Sequence, residues 1–346
     1  MRQILTYILW FAILLGTAAC RKDGPSSLEG TIGFGVVQAE TRTTAFESDD
    51  DLLDTGKGGG NFTVSAYDEG KETCYISSQR VWYFADDSKW RFWDEATNNV
   101  THRYWPNSNL DFFAYMPYSP DLDKTGITIG TYSGQNGPSF SCDLPLDDQS
   151  GLQEFIYAYS TRQNKNSTSR EGEKGVVQLR FVHPLSAVII KLDQSYRMKV
   201  NSIGFSGIYN TGTYRNAHNT LDFDGNQDAN FTYTDWTPSG EKNKSLTAIV
   251  DKEVPDEINY GSPIGGPYLV MPQRLEEVSV KITFERDDKE PETRSTIIYR
   301  DDVPSWEPGK RYTYSLTLGD PLEEIMFNVY VDEWDVIGYR NDIGVE

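Results

Sequence analysis

The sequence predicts an all-β protein of the sandwich type. Short runs of alternating apolar and polar residues recur along the chain, separated by clusters of Pro, Gly and Asn. A period of 3.6 residues, which would indicate amphipathic helices, is almost absent. The 21 tyrosines and 8 tryptophans suit a β-protein, because aromatic side chains pack well on pleated, half-buried surfaces.

The length and the charge of the chain limit its organisation and its partners. A chain of 346 residues is long enough for two domains with cores of their own. We expect two unequal domains, residues 31–212 and residues 213–346, with a boundary in the turn-rich segment 207–218. The 52 acidic and 32 basic residues give a net charge of -20, so nucleic acid and anionic membrane surfaces would repel the body of the protein.

The N-terminus reads as a secretory leader followed by a site of lipid attachment. The apolar run over residues 4–15 is shorter than the about 20 residues that span a bilayer, and small residues end it. Leu15-Gly16-Thr17-Ala18-Ala19-Cys20 resembles a bacterial lipobox, in which the cysteine is lipidated and becomes the mature N-terminus. We predict a signal peptide over residues 1–19, lipidation of Cys20 and a flexible tether over residues 20–30. The alternative is an ordinary signal peptide with an incidental cysteine.

The first strand of the body is predicted over residues 31–38. Its apolar side chains share one face, and they are Ile32, Phe34 and Val36. Gly33 and Gly35 give the other face no side chains, so we expect this strand to be weakly held. After Arg42, the acidic, glycine-rich segment 47–60 shows neither a period of 2 nor one of 3.6 and predicts an exposed loop. A protease could reach Arg42 at the start of this region.

Further strands are predicted throughout the chain from the same alternation. They cover residues 61–67, 81–84, 90–93, 111–115, 155–159, 176–181, 187–192, 200–208, 278–284, 312–318 and 325–331. In the last of these runs, the residues that face one way are Ile325, Phe327, Val329 and Val331.

The sequence indicates no metal and no cofactor. His102, His183 and His218 lie far apart, and none has a His or Cys partner at ligand spacing for zinc. The acidic run 222–228 invites a calcium site, but it does not match the helix-loop-helix pattern, since Tyr233 stands where the bidentate ligand is needed. We interpret His183 as a structural residue that holds a backbone carbonyl.

The sequence also gives no support to an enzyme. It has no phosphate-cradling glycine loop, no nucleophile elbow and no Ser, His and Asp set that a motif would nominate. Carboxylate pairs such as Asp86-Asp87 and Asp332-Glu333 could be proposed as a glycosidase pair, but the abundance of acidic residues makes such a pair uninformative. We predict that the chain has no catalytic residues.

The aromatic residues and the cysteines each have two interpretations. An aromatic group is either core and cross-strand packing or a platform for sugars, and its members are Trp82, Tyr83, Trp90, Trp93, Tyr104 and Trp105. If Cys20 carries lipid, Cys74 and Cys142 could form one disulfide or remain two buried thiols.

Several strings resemble the fimbrillin (Mfa-like) family of Bacteroidetes, whose members are secreted as lipoproteins and build surface fimbriae. The strings are Asp111-Phe112-Phe113-Ala114-Tyr115-Met116-Pro117, Ile156-Tyr157-Ala158-Tyr159, Phe181-Val182-His183-Pro184-Leu185-Ser186-Ala187-Val188, Tyr268-Leu269-Val270-Met271-Pro272-Gln273, and Trp306-Glu307-Pro308-Gly309-Lys310-Arg311-Tyr312-Thr313-Tyr314. Their order and spacing carry the resemblance. Pro184 departs from the alanine expected after the histidine, a change confined to a turn.

The resemblance implies two tandem transthyretin-like β-sandwich domains and assembly by strand exchange. The strand over residues 31–38 would fill a groove, and cleavage between Arg42 and Thr43 would release it. A neighbour's C-terminal segment, formed by residues 325–331 and 335–346, would replace it. The alternative is that Arg42 is a plain surface arginine, as in members that act as anchors or tips.

The function that these features predict is a structural or adhesive subunit of a cell-surface fimbria, a type V pilus, at the outer membrane. Its predicted partners are other fimbrial subunits, an arginine-specific protease and host or bacterial surface ligands. The membrane is contacted only through the lipid anchor. The second hypothesis is a surface lipoprotein that binds glycans through the aromatic group.

Overall fold

The computed structural model of the chain describes twelve segments. They are residues 30–37, 60–133, 137, 139–147, 149–168, 172–192, 197–215, 232–242, 244–254, 263–286, 289–318 and 325–333. The predicted leader, Cys20, Arg42, Thr43, the acidic run 222–228 and the tail 335–346 therefore lie outside the described residues. In the described part of the chain, no helix is long and apolar enough to cross a membrane.

The described residues form an all-β fold, which confirms the predicted fold class; the two-domain, transthyretin-like arrangement stays a prediction. Short 3-10 helices occur at Ser119–Thr125 and Tyr233–Asp235. The strands are β1 Gly33–Val37, β2 Asn61–Asp68, β3 Cys74–Phe84, β4 Lys89–Asp94, β5 Asn99–Val100, β6 Leu110–Met116, β7 Ile127–Ile129, β8 Ser139–Asp143, β9 Ile156–Gln163, β10 Val176–Arg180, β11 Ser186–Leu192, β12 Met198–Ile208, β13 Thr211–Arg215, β14 Trp236–Ser239, β15 Lys244–Val254, β16 Pro263–Val270, β17 Gln273–Arg274, β18 Ser279–Glu285, β19 Glu292–Ile297, β20 Ser305–Trp306, β21 Lys310–Leu318 and β22 Ile325–Glu333.

The first half of the chain builds one large sheet around a first core. The strand order is β10-β1-β4-β3-β2-β6-β9, and β5 pairs with β4. The alternating apolar residues of these strands point to a common interior, as the period of two requires. The first core consists mainly of Ile32, Phe34, Phe62, Val64, Val81, Trp90, Phe92, Trp105, Phe112, Ile156, Val177, Leu179 and Phe181.

The later strands build two facing sheets around a second core. One sheet has the order β16-β11-β21-β22 and the other has the order β15-β12-β18-β19. The alternation predicted over 278–284 and 312–318 is seen directly, since one face of β18 and one face of β21 are buried. The second core consists mainly of Val188, Ile190, Val200, Phe205, Val280, Ile282, Phe284, Tyr312, Tyr314 and Leu316.

A smaller sheet and a third core join these two parts. The sheet order is β14-β13-β8-β7, and its inner face packs on β6 and β9 as well as on residues of β11 and β16. This is why the run over residues 112–116 is apolar without alternation: Phe112 faces the first core while Phe113 faces the third. The third core consists mainly of Phe113, Tyr115, Phe140, Cys142, Phe155, Tyr157, Tyr159, Tyr214, Trp236, Ala187, Leu269 and Met271.

The sheet pairing does not follow the boundary predicted at residues 212 and 213. Strands β11 and β12 lie before that boundary, yet they pair with β16, β21, β15 and β18 of the later chain. In contrast, β13 pairs with β8 of the earlier chain. From Ser186 onward, β11 and β12 belong to the two sheets of the second core. Those sheets therefore contain strands from both sides of the predicted boundary.

The disulfide between Cys74 and Cys142 is not formed, because Cys142 is a free, buried thiol. Cys142 lies on β8 in the third core, whereas Cys74 begins β3 in the large sheet. Of the two interpretations, a buried thiol holds for Cys142. Burial raises the pKa of this thiol to about 12, since the apolar surroundings disfavour the thiolate.

His183 is buried beside a carboxylate, and the bond to a backbone carbonyl that the sequence suggested stays a prediction. Its Nδ1 contacts Oε1 of Glu154, and both side chains are almost fully buried. The pair lies where the chain crosses from the large sheet to the second core, beside the mutual backbone hydrogen bonds of Tyr157 and Val182. The indole of Trp236 donates to the carbonyl of Pro184 at 2.8 Å and holds the same crossing.

We expect His183→Ala and Glu154→Ala each to lower the free energy of unfolding by about 3–5 kcal/mol, because each leaves a buried polar group without its partner. The double variant should lose less than the sum of the two, since neither group remains to be compensated. Urea unfolding measures all three variants. A strictly additive result would contradict the coupling, and Arg300→Ala, which breaks an exposed ion pair with Asp302, is the control with little expected change.

Candidate functional site

The position of β1 in the large sheet defines the first candidate site, which we call the β1 groove. On one side, β1 pairs in parallel with β10 along its whole length, from Gly33 to Val37. On the other side, its pairing with β4 consists of the single partners Phe34 and Trp90 among the described residues. The strand therefore fills a gap between β10 and β4, with a full ladder on one edge and a minimal one on the other.

Backbone hydrogen bonds also hold the chain at the start of β1. The amide of Ile32 donates to the carbonyl of Arg103 at 2.8 Å, and the amide of Gly33 donates to the carbonyl of Gly175 at 2.8 Å. The indole of Trp105 donates to the same Gly175 carbonyl at 3.2 Å. This pattern uses main-chain groups on both sides, so a different sequence could make the same hydrogen bonds.

The side chain of Phe34 gives the β1 groove its apolar character. Its ring lies 5.6 Å from the ring of Phe62, 5.2 Å from Phe92 and 6.0 Å from Phe112, each in an edge-to-face arrangement. Ile32 is buried beside it and Val36 packs against the first core. The three predicted inward residues of β1 therefore share one face, and that face completes the first core.

The two glycines of β1 allow β10 to approach closely. A Cβ on Gly35 would lie 2.4 Å from Nε2 of Gln178, and a Cβ on Gly33 would lie 3.2 Å from Cγ2 of Val176. The face of β1 opposite Phe34 is thus partly covered by side chains of β10. A larger residue at Gly35 would require the Gln178 side chain to move away.

The strand β22, which contains the predicted C-terminal donor residues, is an edge strand. It pairs with β21 over nine positions, from Lys310 with Glu333 to Leu318 with Ile325, and has no other partner among the described strands. Ile325 is buried, and Phe327 and Val329 pack partly on the second core. Val331 is exposed, so it does not share the burial of Ile325.

The predicted aromatic group is divided by the sheet between its two faces. Trp90 and Trp105 are buried in the first core, and Tyr83 packs against that core. Trp82 and Trp93 point to the other face of β3 and β4, where both are half-buried. Tyr104 is exposed and lies apart from them, bridged to Thr31.

The outer face of β3 and β4 adds residues that the sequence interpretation missed. Cζ of Arg80 lies 4.2 Å from the ring centre of Trp82 and 4.4 Å from that of Tyr118. Cζ of Arg91 lies 5.2 Å from the ring centre of Phe84. The period of two along β3 and β4 was the signal that could have shown Arg80, Trp82 and Phe84 on one face.

Buried titratable groups elsewhere have structural partners. The Asp111 carboxylate accepts from the amides of Gly70 and Arg162 and from the hydroxyl of Tyr132. Burial raises the pKa of Tyr132, and the neighbouring Tyr159 hydroxyl adds to the effect. Among the described residues, no group of His, Cys, Asp and Glu side chains could hold a metal ion.

Comparison with known proteins places this geometry in a family. The fimbrillin-like family matches residues 40–334, which contain every described strand except β1. The chain belongs to the fimbrillin-like family. This is a family of fimbrial structural proteins and not of enzymes, which agrees with the prediction of no catalytic residues. No curated protein matches the chain in sequence.

Solved structures share the fold at low sequence identity. A fimbrial protein from Bacteroides vulgatus aligns with a TM-score of 0.54 at 16% identity, covering 88% of this chain and 99% of its own. A candidate cell adhesion protein from Bacteroides ovatus aligns with a TM-score of 0.54 at 13% identity, covering 90% and 99%. A second one, from Bacteroides uniformis, gives 0.52 at 13% identity, covering 88% and 98%.

We expect Phe34→Ala to lower the free energy of unfolding by about 3–5 kcal/mol, because its buried ring contacts three other core rings and its removal leaves a cavity. Tyr330→Ala, which removes an exposed aromatic side chain from β22, is the matched control and should change it by less than about 0.5 kcal/mol. Urea unfolding followed by circular dichroism compares them. Equal stability of the two variants would show that Phe34 does not anchor β1.

Proposed function

We propose that this fimbrillin-like chain is a structural or adhesive subunit of a cell-surface fimbria that polymerises by strand exchange at the β1 groove. The observation that carries the proposal is the place of β1: it completes the first core, yet it is short and has a nearly free edge toward β4. A strand held in this way can be replaced without rebuilding the sheet. The family of the chain supports assembly with other fimbrial subunits.

Loss of β1 would leave an apolar groove that favours a new strand. Phe62, Phe92 and Phe112 would lose the ring that lies between them. Exposure of apolar area costs about 25 cal/mol per Å², so an empty β1 groove would be unstable. β10 would at the same time present unpaired main-chain groups, which pair readily with any extended segment.

We propose cleavage between Arg42 and Thr43 as the step that releases β1. Arg42 follows β1 by only a few residues, so cleavage there would separate the strand from the rest of the body. An arginine-specific protease is the partner that this step needs. Once the covalent link is lost, β1 is held only by its pairing and by its inward side chains.

The donor side is proposed to be the C-terminal segment of a neighbouring copy. Within one chain β22 already pairs with β21, so its own donation would require that pairing to break. The tail 335–346 is the part of this segment that we propose enters the groove of the next copy. It contains Ile337-Gly338-Tyr339, which repeats the apolar, glycine and aromatic order of Ile32-Gly33-Phe34.

We also propose export as an outer-membrane lipoprotein. The support is the lipobox-like sequence that ends at Cys20 and the polar tether that follows it. Acyl chains on Cys20 would hold the precursor at the membrane, since its net charge of -20 gives the body no attraction to anionic lipid.

An arginine-specific protease should convert the full-length precursor into a form that begins at Thr43 and then polymerises. Cleavage is read by N-terminal sequencing, and polymers are read as ladders on unheated gels. Arg42→Ala should block both steps. Arg162→Ala, which removes an arginine whose side chain is 79% exposed, is the matched control and should leave both unchanged.

A deletion of residues 335–346 separates cleavage from donation. It should leave cleavage at Arg42 intact and abolish the ladder. Polymers formed by the Arg42→Ala protein, or an intact Arg42–Thr43 bond under native conditions, would overturn protease-triggered exchange.

Palmitate supplied to cells that express the chain should label it, and Cys20→Ser should remove the label, because the thiol is the proposed attachment atom. Cys142→Ser, which changes a buried thiol, is the control and should remain labelled. Equal labelling of the Cys20→Ser protein would exclude this anchor.

A further inference from the structure

The outer face of β3 and β4 departs from the alternation that the rest of the large sheet follows. The inward residues of these strands, such as Val81 and Phe92, are buried in the first core. Solvent-facing positions of such a sheet are usually polar. Here they carry a continuous group of rings and guanidinium groups, which we call the outer-face cluster: Arg80, Trp82, Phe84, Arg91, Trp93 and Tyr118.

The rings of the outer-face cluster form one connected surface. The Trp82 and Trp93 rings are 5.5 Å apart at an angle of 60°, and the Phe84 and Trp93 rings are 6.0 Å apart at 45°. The register explains these contacts, since Trp82 is paired with Arg91 and lies diagonally across from Trp93. Both tryptophans remain half-buried and keep part of their surface open to solvent.

The charges of the outer-face cluster are balanced within it. Nη1 of Arg80 donates to Oε1 of Glu95 at 2.9 Å, and Nη2 of Arg91 donates to Oδ2 of Asp87. All four side chains are partly exposed, so each ion pair presents both donors and acceptors to solvent. The surface therefore offers flat apolar rings bordered by hydrogen-bonding groups, and it carries no excess charge.

We propose that the outer-face cluster is a binding site for neutral carbohydrate. Trp93 would stack on the C–H face of a pyranose ring, because the negative face of an aromatic ring attracts the weakly positive C–H groups. Trp82, which has Arg80 over one face of its ring, would border this contact. Arg80, Glu95 and Asp87 would exchange hydrogen bonds with sugar hydroxyls at the rim. This site is independent of the β1 groove, so it does not rest on strand exchange.

Charge decides the class of sugar. An anionic glycan would meet guanidinium groups that are already neutralised, on a chain whose net charge of -20 repels it. A neutral, hydroxyl-rich ligand needs paired hydrogen-bond donors and acceptors, and the net negative charge of the chain does not repel it. A second copy of this chain would present the same neutralised ion pairs, so this face offers it no complementary charge.

A glycan array probed with the full-length chain tests the site. The probes are neutral oligosaccharides of glucose, mannose and galactose, together with their sulfated and sialylated counterparts. We expect binding to neutral probes that persists in high salt, because screening acts on charge and not on ring stacking. Trp93→Ala should weaken it about tenfold or more, as expected for a central aromatic contact, and Glu95→Gln should weaken it less.

Two variants separate binding from folding. Tyr330→Ala removes an aromatic side chain that is 61% exposed on β22, outside the cluster, and should bind like the unaltered chain. Trp93→Phe keeps an aromatic ring in the contact with Trp82, and it should fold and bind with intermediate affinity. Its reduced affinity supports the site even if Trp93→Ala does not fold.

Three results would overturn the proposal. The first is an array without neutral hits. The second is binding that is confined to anionic probes and lost in high salt. The third is unchanged binding in both Trp93→Phe and Trp82→Phe. An array without neutral hits, together with self-association in sedimentation that Trp93→Phe abolishes, would assign the face to contacts between copies.

Discussion

The insertion of β1 between β10 and β4 is the contact on which the first half of the molecule depends. The ring of Phe34 lies among Phe62, Phe92 and Phe112, so β1 contributes to the middle of the first core and not to its margin. The same strand is held by a complete ladder on one edge only. This combination of deep side-chain burial and limited backbone pairing makes it both necessary for the core and exchangeable in principle.

The crossing near Ser186 links the first core to the second through the third. Phe112 and Phe113 of β6 face different cores, and the small sheet of β13 and β8 packs between the two larger parts. The buried pair of His183 and Glu154 lies at this crossing, where removal of one partner would leave a polar group in an apolar interior.

The sequence left the aromatic group with two interpretations, core packing and ligand binding. The large sheet places some of its residues on the core face and others on the outer face. Trp90 and Trp105 complete the first core, while Trp82 and Trp93 are turned to the outer face beside Arg80. The core tryptophans exclude water and stabilise the fold. The outer ones gain less from burial, and their rings remain available for a ligand. The proposed assembly site and the proposed recognition site thus use different side chains, although β4 borders the first and carries part of the second.

The sequence by itself determined the fold class, the runs over 278–284 and 312–318, and the inward face of Ile32 and Phe34, because an alternation of period two depends only on neighbouring residues. Only the tertiary structure decided the partners of each strand. β11 and β12 pair with later strands, Cys142 remains a free thiol, and Arg80 contacts the rings of Trp82 and Tyr118. These contacts join residues distant along the chain, and which face of a strand is covered depends on the sheet that packs against it.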